Sequence, residues 1–292
     1  MINIRPKITC FVLACLAVIV AAGVCIPVSG YVLQGAHLLH LMTQKLKASK
    51  TLHVSQYLIQ HDTEPPLAFA KLSEQLYFEF PDRFRADSFI DTDALKRTLM
   101  VSGSRMLTVL DGYASDGPGQ SLDLYKDILL FRSRVLLHKQ LLQKGIDVSI
   151  SSMGRYNDQP VFVIGAVYPD ESVSQLLLQK DSFLPVRLMV VETPSEFSVT
   201  ANHLDIRYEE WMEFDKIWYP LRVEIYRNGQ LIREIMVRNV SVDAFISPDV
   251  LDIETVRQQF TATKHRLDIM DESDEGVTDV QKSIDDFTKK FE

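Results

Sequence analysis

Beyond residue 25 the chain has no cysteine; its three, Cys10, Cys15 and Cys25, crowd the N-terminus. That excludes a disulfide-stapled scaffold and a cysteine-ligated metal from the body of the protein. Glycine and proline are sparse, 12 of each in 292 residues, which excludes collagen-like and low-complexity chains. Basic residues are outnumbered, 31 Lys and Arg against 39 Asp and Glu, for a net charge of −8. A chain of that sign without a basic cluster lacks the footprint of a phosphate-backbone binder, so no nucleic acid partner is expected. Also missing are a P-loop, a dinucleotide fingerprint and a nucleophile elbow; the nearest glycine cluster, GPGQ at 117–120, reads as a turn. What remains is ordinary globular composition, 46% hydrophobic and 24% charged, with enough chain for one large or two small domains.

The one long hydrophobic run is N-terminal. Arg5 and Lys7 precede ITCFVLACLAVIVAAGVC, and the small residues Ser29 and Gly30 follow. This is the layout of a secretory signal, with cleavage expected after Gly30 or, as a second choice, after Gly23. Ile8–Val28 carries no charge and is long enough to cross a bilayer, so an uncleaved inner-membrane anchor is the competing reading. A lipid-modified Cys25 fits less well, because Val24 stands where a small residue is wanted. Each reading places the body in the periplasm. The expected organisation is an export or anchor segment at 1–30, a folded domain at 31–254, and an acidic linker with a short amphipathic helix at 255–292. In that tail DIMDESDEG reads as solvated, while Val280, Ile284, Phe287 and Phe291 follow the capping-box pair Thr278 and Gln281 at helical intervals.

Within the body the hydrophobic period switches from helix to strand and back. Val32, Ala36, Leu39, Met42 and Leu46 share one helical stripe, predicting a helix over 32–48. Leu76, Phe78 and Phe80 then alternate with Tyr77 and Glu79, Pro81 breaks the ladder, and Phe84, Ala86 and Ser88 resume it. Gly103 permits a hairpin at 102–104. Residues 121–144, rich in leucine and free of glycine and proline, predict one long helix from Ser121 to the stop at Gly145. Its broad apolar face holds Leu122, Tyr125, Leu129, Leu136 and Leu142, widened by Ile128, Phe131 and Leu137; Arg132, Arg134 and His138 take the rest. Further strands follow, with a tight hairpin at Asn228-Gly229 and a looser turn at Phe214-Asp215-Lys216. The whole reads as an α+β antiparallel meander with two inserted helices.

Chemistry-bearing constellations are scarce. His37 and His40 are spaced to share a metal, but surface histidines are the plainer reading. His61-Asp62, beside two prolines, reads as a loop with no nucleophile in a recognisable context. Glu209 and Glu210, consecutive on a strand, are expected to point to opposite faces and not to act together. Trp211, Trp218 and Tyr219 suit either a sugar- or cavity-lining role or cross-strand packing. No enzyme, cofactor or metal is expected. Two packings stay open: sheet and helix fill each other, or a curved sheet leaves an apolar cavity with the helix as lid.

The order of segments carries a resemblance. LYFEFPDRFRAD, LMVSGSRMLTVLDG, the leucine-rich helix, SFLPVRLMVVE, the run YEEWMEFDKIWYPLRVEIYRNGQLIREIMVRNVSV and ISPDVLDI, across about 36–253, resemble the periplasmic lipoprotein-carrier superfamily. Its members include outer-membrane lipoprotein-sorting proteins of LolA and LolB type, mycobacterial lipid-carrier lipoproteins and the sensor domain of an envelope-stress regulator. The resemblance implies a strongly curved antiparallel sheet, an incomplete β-barrel, with helices covering the concave face and acyl chains of a lipoprotein or lipid held inside. It implies transfer toward the outer membrane, with inner- and outer-membrane transfer proteins as partners. The alternative is an envelope sensor or interaction module that uses the same fold to bind a protein.

Each buried methylene is worth ~0.8 kcal/mol, so a 16-carbon chain in water costs on the order of 10 kcal/mol and needs a shield. Carried over by alternation, the cavity-lining residues would be Leu76, Phe78, Phe80, Leu107, Val109, Phe162, Ile164, Ile206, Tyr208, Leu221, Val223 and Ile225, with Leu129 and Leu136 from the helix. One departure stands out. The carriers place a lid-holding arginine just before the proline of the second strand, where this chain has Phe80; Arg83 or Arg85 is the expected substitute.

Overall fold

Among the described residues, alternating apolar side chains build thirteen strands into a single antiparallel sheet, accompanied by four helices and two 3₁₀ turns. The computed structural model describes residues 32–47, 49–61, 70–90, 94–116, 121–192 and 202–260. The export segment, Asp62, the GPGQ turn and the amphipathic tail lie outside the described residues. Helix α1 is Gly35–Leu46, shorter at both ends than the predicted 32–48, and it buries Leu38, Leu39, Met42 and Leu46. Gly35 is needed there: a Cβ would collide with the Val148 carbonyl oxygen.

Strands β1 (Thr51–Gln60), β2 (Ala70–Glu79), β3 (Arg83–Ile90), β4 (Ala94–Ser102), β5 (Arg105–Leu110) and β6 (Tyr113–Asp116) run outward as a meander. The chain then crosses to the far edge, where β7 (Ser151–Tyr156) begins a second meander. It continues through β8 (Gln159–Ile164), β9 (Gln175–Gln179), β10 (Pro185–Glu192), β11 (Asn202–Phe214), β12 (Ile217–Arg227) and β13 (Gln230–Val242). Strand β13 returns to pair with β1, so the first and last strands meet mid-sheet and β6 and β7 are the two edges. The sheet is open, an incomplete barrel. Extra residues at Lys96, Val186, Ile232 and Arg238 shift the ladder register, and each such bulge adds bend and twist.

The hairpins follow turn chemistry. Asn228 and Gly229 have φ of +51° and +81°, and Gly103 has +60°. The turn at Asp215-Lys216 is equally tight, with φ of +44° and +70°, and not the looser connection predicted.

Between β6 and β7 the predicted single helix is three pieces: a 3₁₀ turn at Ser121–Leu124, helix α2 at Tyr125–Leu130 and helix α3 at Arg134–Gln143. The break has a physical cause. Every residue of α2 is buried, whereas α3 is a surface helix burying only Leu137 and Leu141. One straight rod cannot do both. Leu142, expected on the apolar face, is exposed, and Arg132, expected on the polar one, is buried at the break.

One large apolar cluster joins the concave face to α1 and the 121–143 segment. A second lies on the opposite face, where Met100, Leu107 and Val109 pack against Ile253 and Val256. Residues 253–260 are helical, with Ile253 and Val256 buried. Among the described residues no helix is long and apolar enough to cross a membrane.

Candidate functional site

The concave face is the site the fold builds, and 121–143 is its cover. Leu76 and Phe78 on β2 face Phe84 and Ala86 on β3. Phe162, Ile164, Ile206, Tyr208, Val223 and Ile225 join the same buried cluster from the other half of the sheet, and Leu129 joins it from α2. Phe80 and Leu136 pack on its margin. Of the two packings left open, the filled one holds along α2, where Ile128, Leu129 and Leu130 are 0–1% exposed and occupy the concave face.

Three of the expected lining residues lie elsewhere. Leu107 pairs with Met100 and Val109 with Thr98, so both share the face opposite Leu99 and Val101 and belong to the second cluster. A shift of one residue exchanges faces, and here both faces are covered, so hydrophobicity alone misassigned them. Leu221 is half-buried and outside the clusters. No pairing joins it to Glu210, which interrupts β11 at φ +53° between Glu209↔Arg222 and Trp211↔Pro220. Glu209 and Glu210 border one cleft of about 450 Å³, together with Tyr208, Trp211, Trp218 and Tyr156. Trp211 Nε1 donates to the Pro185 carbonyl at 2.9 Å.

The fastening of the cover is polar. Asp123 in the 3₁₀ turn accepts two bonds from Arg97 of β4, one of them at 2.9 Å from Nη1 to Oδ1. The Arg233 Nη1 lies 3.8 Å from the same carboxylate. Tyr125 on α2 is held twice: Gln56 Nε2 donates to its hydroxyl at 3.1 Å, and Tyr208 donates its own hydroxyl to the Tyr125 carbonyl at 3.0 Å. Beside these, Glu74 accepts bonds from Gln56 at 2.7 Å and Ser88 at 2.6 Å. Burial works against the Arg97 charge, but the Asp123 carboxylate outweighs it and holds the pKa above the ordinary value. Arg233 goes the other way, lowered by burial with Asp123 compensating only in part. Burial also pushes the Tyr125 and Tyr208 phenols well up.

Arg132 is the second fastening. Its Nε donates to Leu129 O at 2.9 Å, Nη1 to Leu46 O at 3.0 Å and Lys47 O at 2.9 Å, and Nη2 to Trp218 O at 3.3 Å. The guanidinium lies 4.9 Å from the centre of the Phe80 ring. Burial pushes its pKa down to about 10, so it remains charged at neutral pH. The position before the proline thus does contribute to holding the cover, but as the aromatic partner of an arginine supplied by the cover itself. The expected substitutes do something else: Arg83 donates to the Leu251 carbonyl and Arg85 to the Val250 carbonyl, tying down the C-terminal 3₁₀ turn at Pro248–Leu251.

Sequence reasoning missed this buried network, although a signal for it was present. Glu74 and Arg97 stand two residues before Leu76 and Leu99, in the inward register, where alternation calls for apolar side chains.

No known sequence family matches the chain, and no curated protein matches it. Solved structures do. A putative outer membrane lipoprotein-sorting protein domain from Vibrio parahaemolyticus superimposes with a TM-score of 0.51 at 9% identity, covering 76% of this chain and 97% of that one. A LolA superfamily protein from Nitrosomonas europaea gives 0.50 at 9% identity over 76% and 99%. The fold is LolA-like. A DUF1329 family protein from Desulfovibrio piger gives 0.52 at 13% identity, over 75% of this chain and 96% of that one. At such identities the LolA-like likeness is one of architecture.

Among the described residues no three His, Cys, Asp or Glu side chains gather as for a metal. His37 and His40 sit side by side on α1 with ring centroids 6.3 Å apart, and His61 lies 3.8 Å from Glu234.

Proposed function

We propose that the protein is a non-enzymatic periplasmic carrier that takes acyl chains of a lipoprotein or lipid onto its concave face. It shields them across the aqueous space and delivers them toward the outer membrane, in the manner of a lipoprotein-sorting chaperone. The observation that supports this reading is the construction of the cover. Its inner surface is hydrocarbon, and it is fastened to the sheet by a few polar side chains, notably Asp123, Tyr125 and Arg132. An apolar cover over an apolar wall is the arrangement that a hydrocarbon guest replaces at least cost.

The magnitudes are comparable. At about 1.5–3 kcal/mol per buried apolar side chain, Leu122, Ile128, Leu129, Leu130, Phe131 and Leu137 hold the cover by on the order of 10–20 kcal/mol. One or two 16-carbon chains, each on the order of 10 kcal/mol, offset its displacement. Exchange between cover and cargo is then near balance, as loading and release both require.

Mass spectrometry of the mature protein after gentle extraction tests this, together with titration by a fluorescent fatty acid. Co-purifying lipid and saturable binding are expected. A lipid-free protein indifferent to the probe overturns the reading.

A further inference from the structure

Buried charge on the apolar side of a sheet is costly, and charged groups kept there are candidates for function. Arg97 on β4 and Arg233 on β13 both project into the concave face, with side chains 13% and 6% exposed. Between them sits the carboxylate of Asp123, which arrives from the cover and not from the sheet. Neither guanidinium is saturated: among the described residues Arg97 Nε and Arg233 Nη1 are buried with no hydrogen-bond partner. The other groups here are already committed. Glu74 is held by Gln56 and Ser88, and Gln60 Oε1 accepts from Arg233 Nε at 3.2 Å and Nη2 at 3.0 Å.

A hydrocarbon guest that takes the cover's place therefore withdraws one negative charge and leaves two cations beneath it, with Glu74 the nearby carboxylate among the described residues. Leaving a buried charge uncompensated costs several kcal/mol, so a guest-filled state with nothing in Asp123's place is disfavoured. An anion delivered with the guest relieves that cost. We infer that Arg97 and Arg233 form an anion subsite on the concave face, filled by Asp123 when the cover is closed and by the carboxylate or phosphate head of an acyl ligand when it is open. This rests on the carriage reading and narrows it: the favoured cargo is an anionic amphiphile, its chain replacing the leucines of α2 and its head replacing Asp123.

The test compares three guests of equal chain length on the mature chain by displacement of a neutral fluorescent acyl probe: palmitate, hexadecyl phosphate and hexadecanol. At least one of the two anions is expected to bind about tenfold or more tightly than the alcohol, the scale of a charge-assisted hydrogen bond. Whichever anion binds better identifies the head group as carboxylate or phosphate. Arg233→Gln is expected to lose the preference and Arg233→Lys to keep it, with folding followed by circular dichroism. Asp123→Asn, which weakens the internal occupant without touching the arginines, is expected to tighten anion binding. Hexadecanol matching both anions on the wild-type chain overturns the subsite and leaves carriage standing. Binding of none of the three overturns both.

Discussion

Leu129 offers a way to tell a displaceable cover from an ordinary core helix. It is 1% exposed and packs on the concave cluster from α2. Truncation of a buried leucine to alanine costs about 2–5 kcal/mol, here taken as ~3 because the neighbouring Ile128 and Leu130 stay in place. Global stability should fall by that amount, seen as a lower denaturation midpoint with unchanged m-value. In a fixed core nothing else happens. If α2 competes with cargo, the same ~3 kcal/mol is removed from the closed state alone, and apparent affinity for an acyl probe rises by up to about 100-fold. Phe78→Ala is the control, since Phe78 belongs to the wall that remains: stability and affinity should fall together. Titration of both variants with a fluorescent fatty acid decides. A Leu129→Ala protein that loses stability while its affinity stays level or drops refutes competition between cover and cargo.

Further outcomes follow from the same packing. Leu107→Ala, on the opposite face against Ile253 and Val256, should cost about 2–5 kcal/mol in chemical denaturation and leave acyl affinity unchanged. Arg132→Met keeps an apolar stem beside Phe80 but abandons the carbonyls of Leu46, Lys47 and Trp218. Amide hydrogen exchange over 125–141 should accelerate tenfold or more while β1 and β2 stay protected; equal acceleration everywhere would make Arg132 a general core residue. Acid should act first on 253–260. Hydrogen bonds from Arg257 hold the Asp116 carboxyl below its ordinary range, and those from Thr255 do the same for Asp252. Carboxyls with lowered folded pKa values stabilise above their unfolded values, and that support is lost as the pH falls below about 4. Exchange at 253–260 should therefore rise in acid before exchange in α2 does.

The sheet was legible because alternation and turn chemistry are local. Leu76, Phe78 and Phe80 read correctly as one face, and Asn228-Gly229 and Gly103 read correctly as turns, since positive φ has few tenants. What one strand cannot show about itself was lost. Extra residues at Lys96, Val186, Ile232 and Arg238 become visible only against the partner strand, and the interruption at Glu210 only through its φ. Leu107 and Val109 alternate as any half-buried pair does, and their partners Ile253 and Val256 lie far along the chain. The break after Leu130 has no glycine or proline to announce it; it follows from α2 being buried and α3 lying on the surface, and Arg132 holds it by reaching four carbonyls that tertiary structure brings together. The concave polar network was half legible, as Glu74 and Arg97 in an inward register.

The crossover from β6 to β7 joins the two edges of an open sheet, so the segment that carries Asp123, α2 and α3 is anchored at both ends like a strap across a bowl. It can slacken but never diffuse away. Re-covering the bowl is consequently unimolecular, at a local concentration fixed by the strap's own length and indifferent to dilution. On the proposed carriage, a guest held there would face a rival that is always present, and discharge would need no energy source, only a membrane or acceptor to take what the strap pushes out.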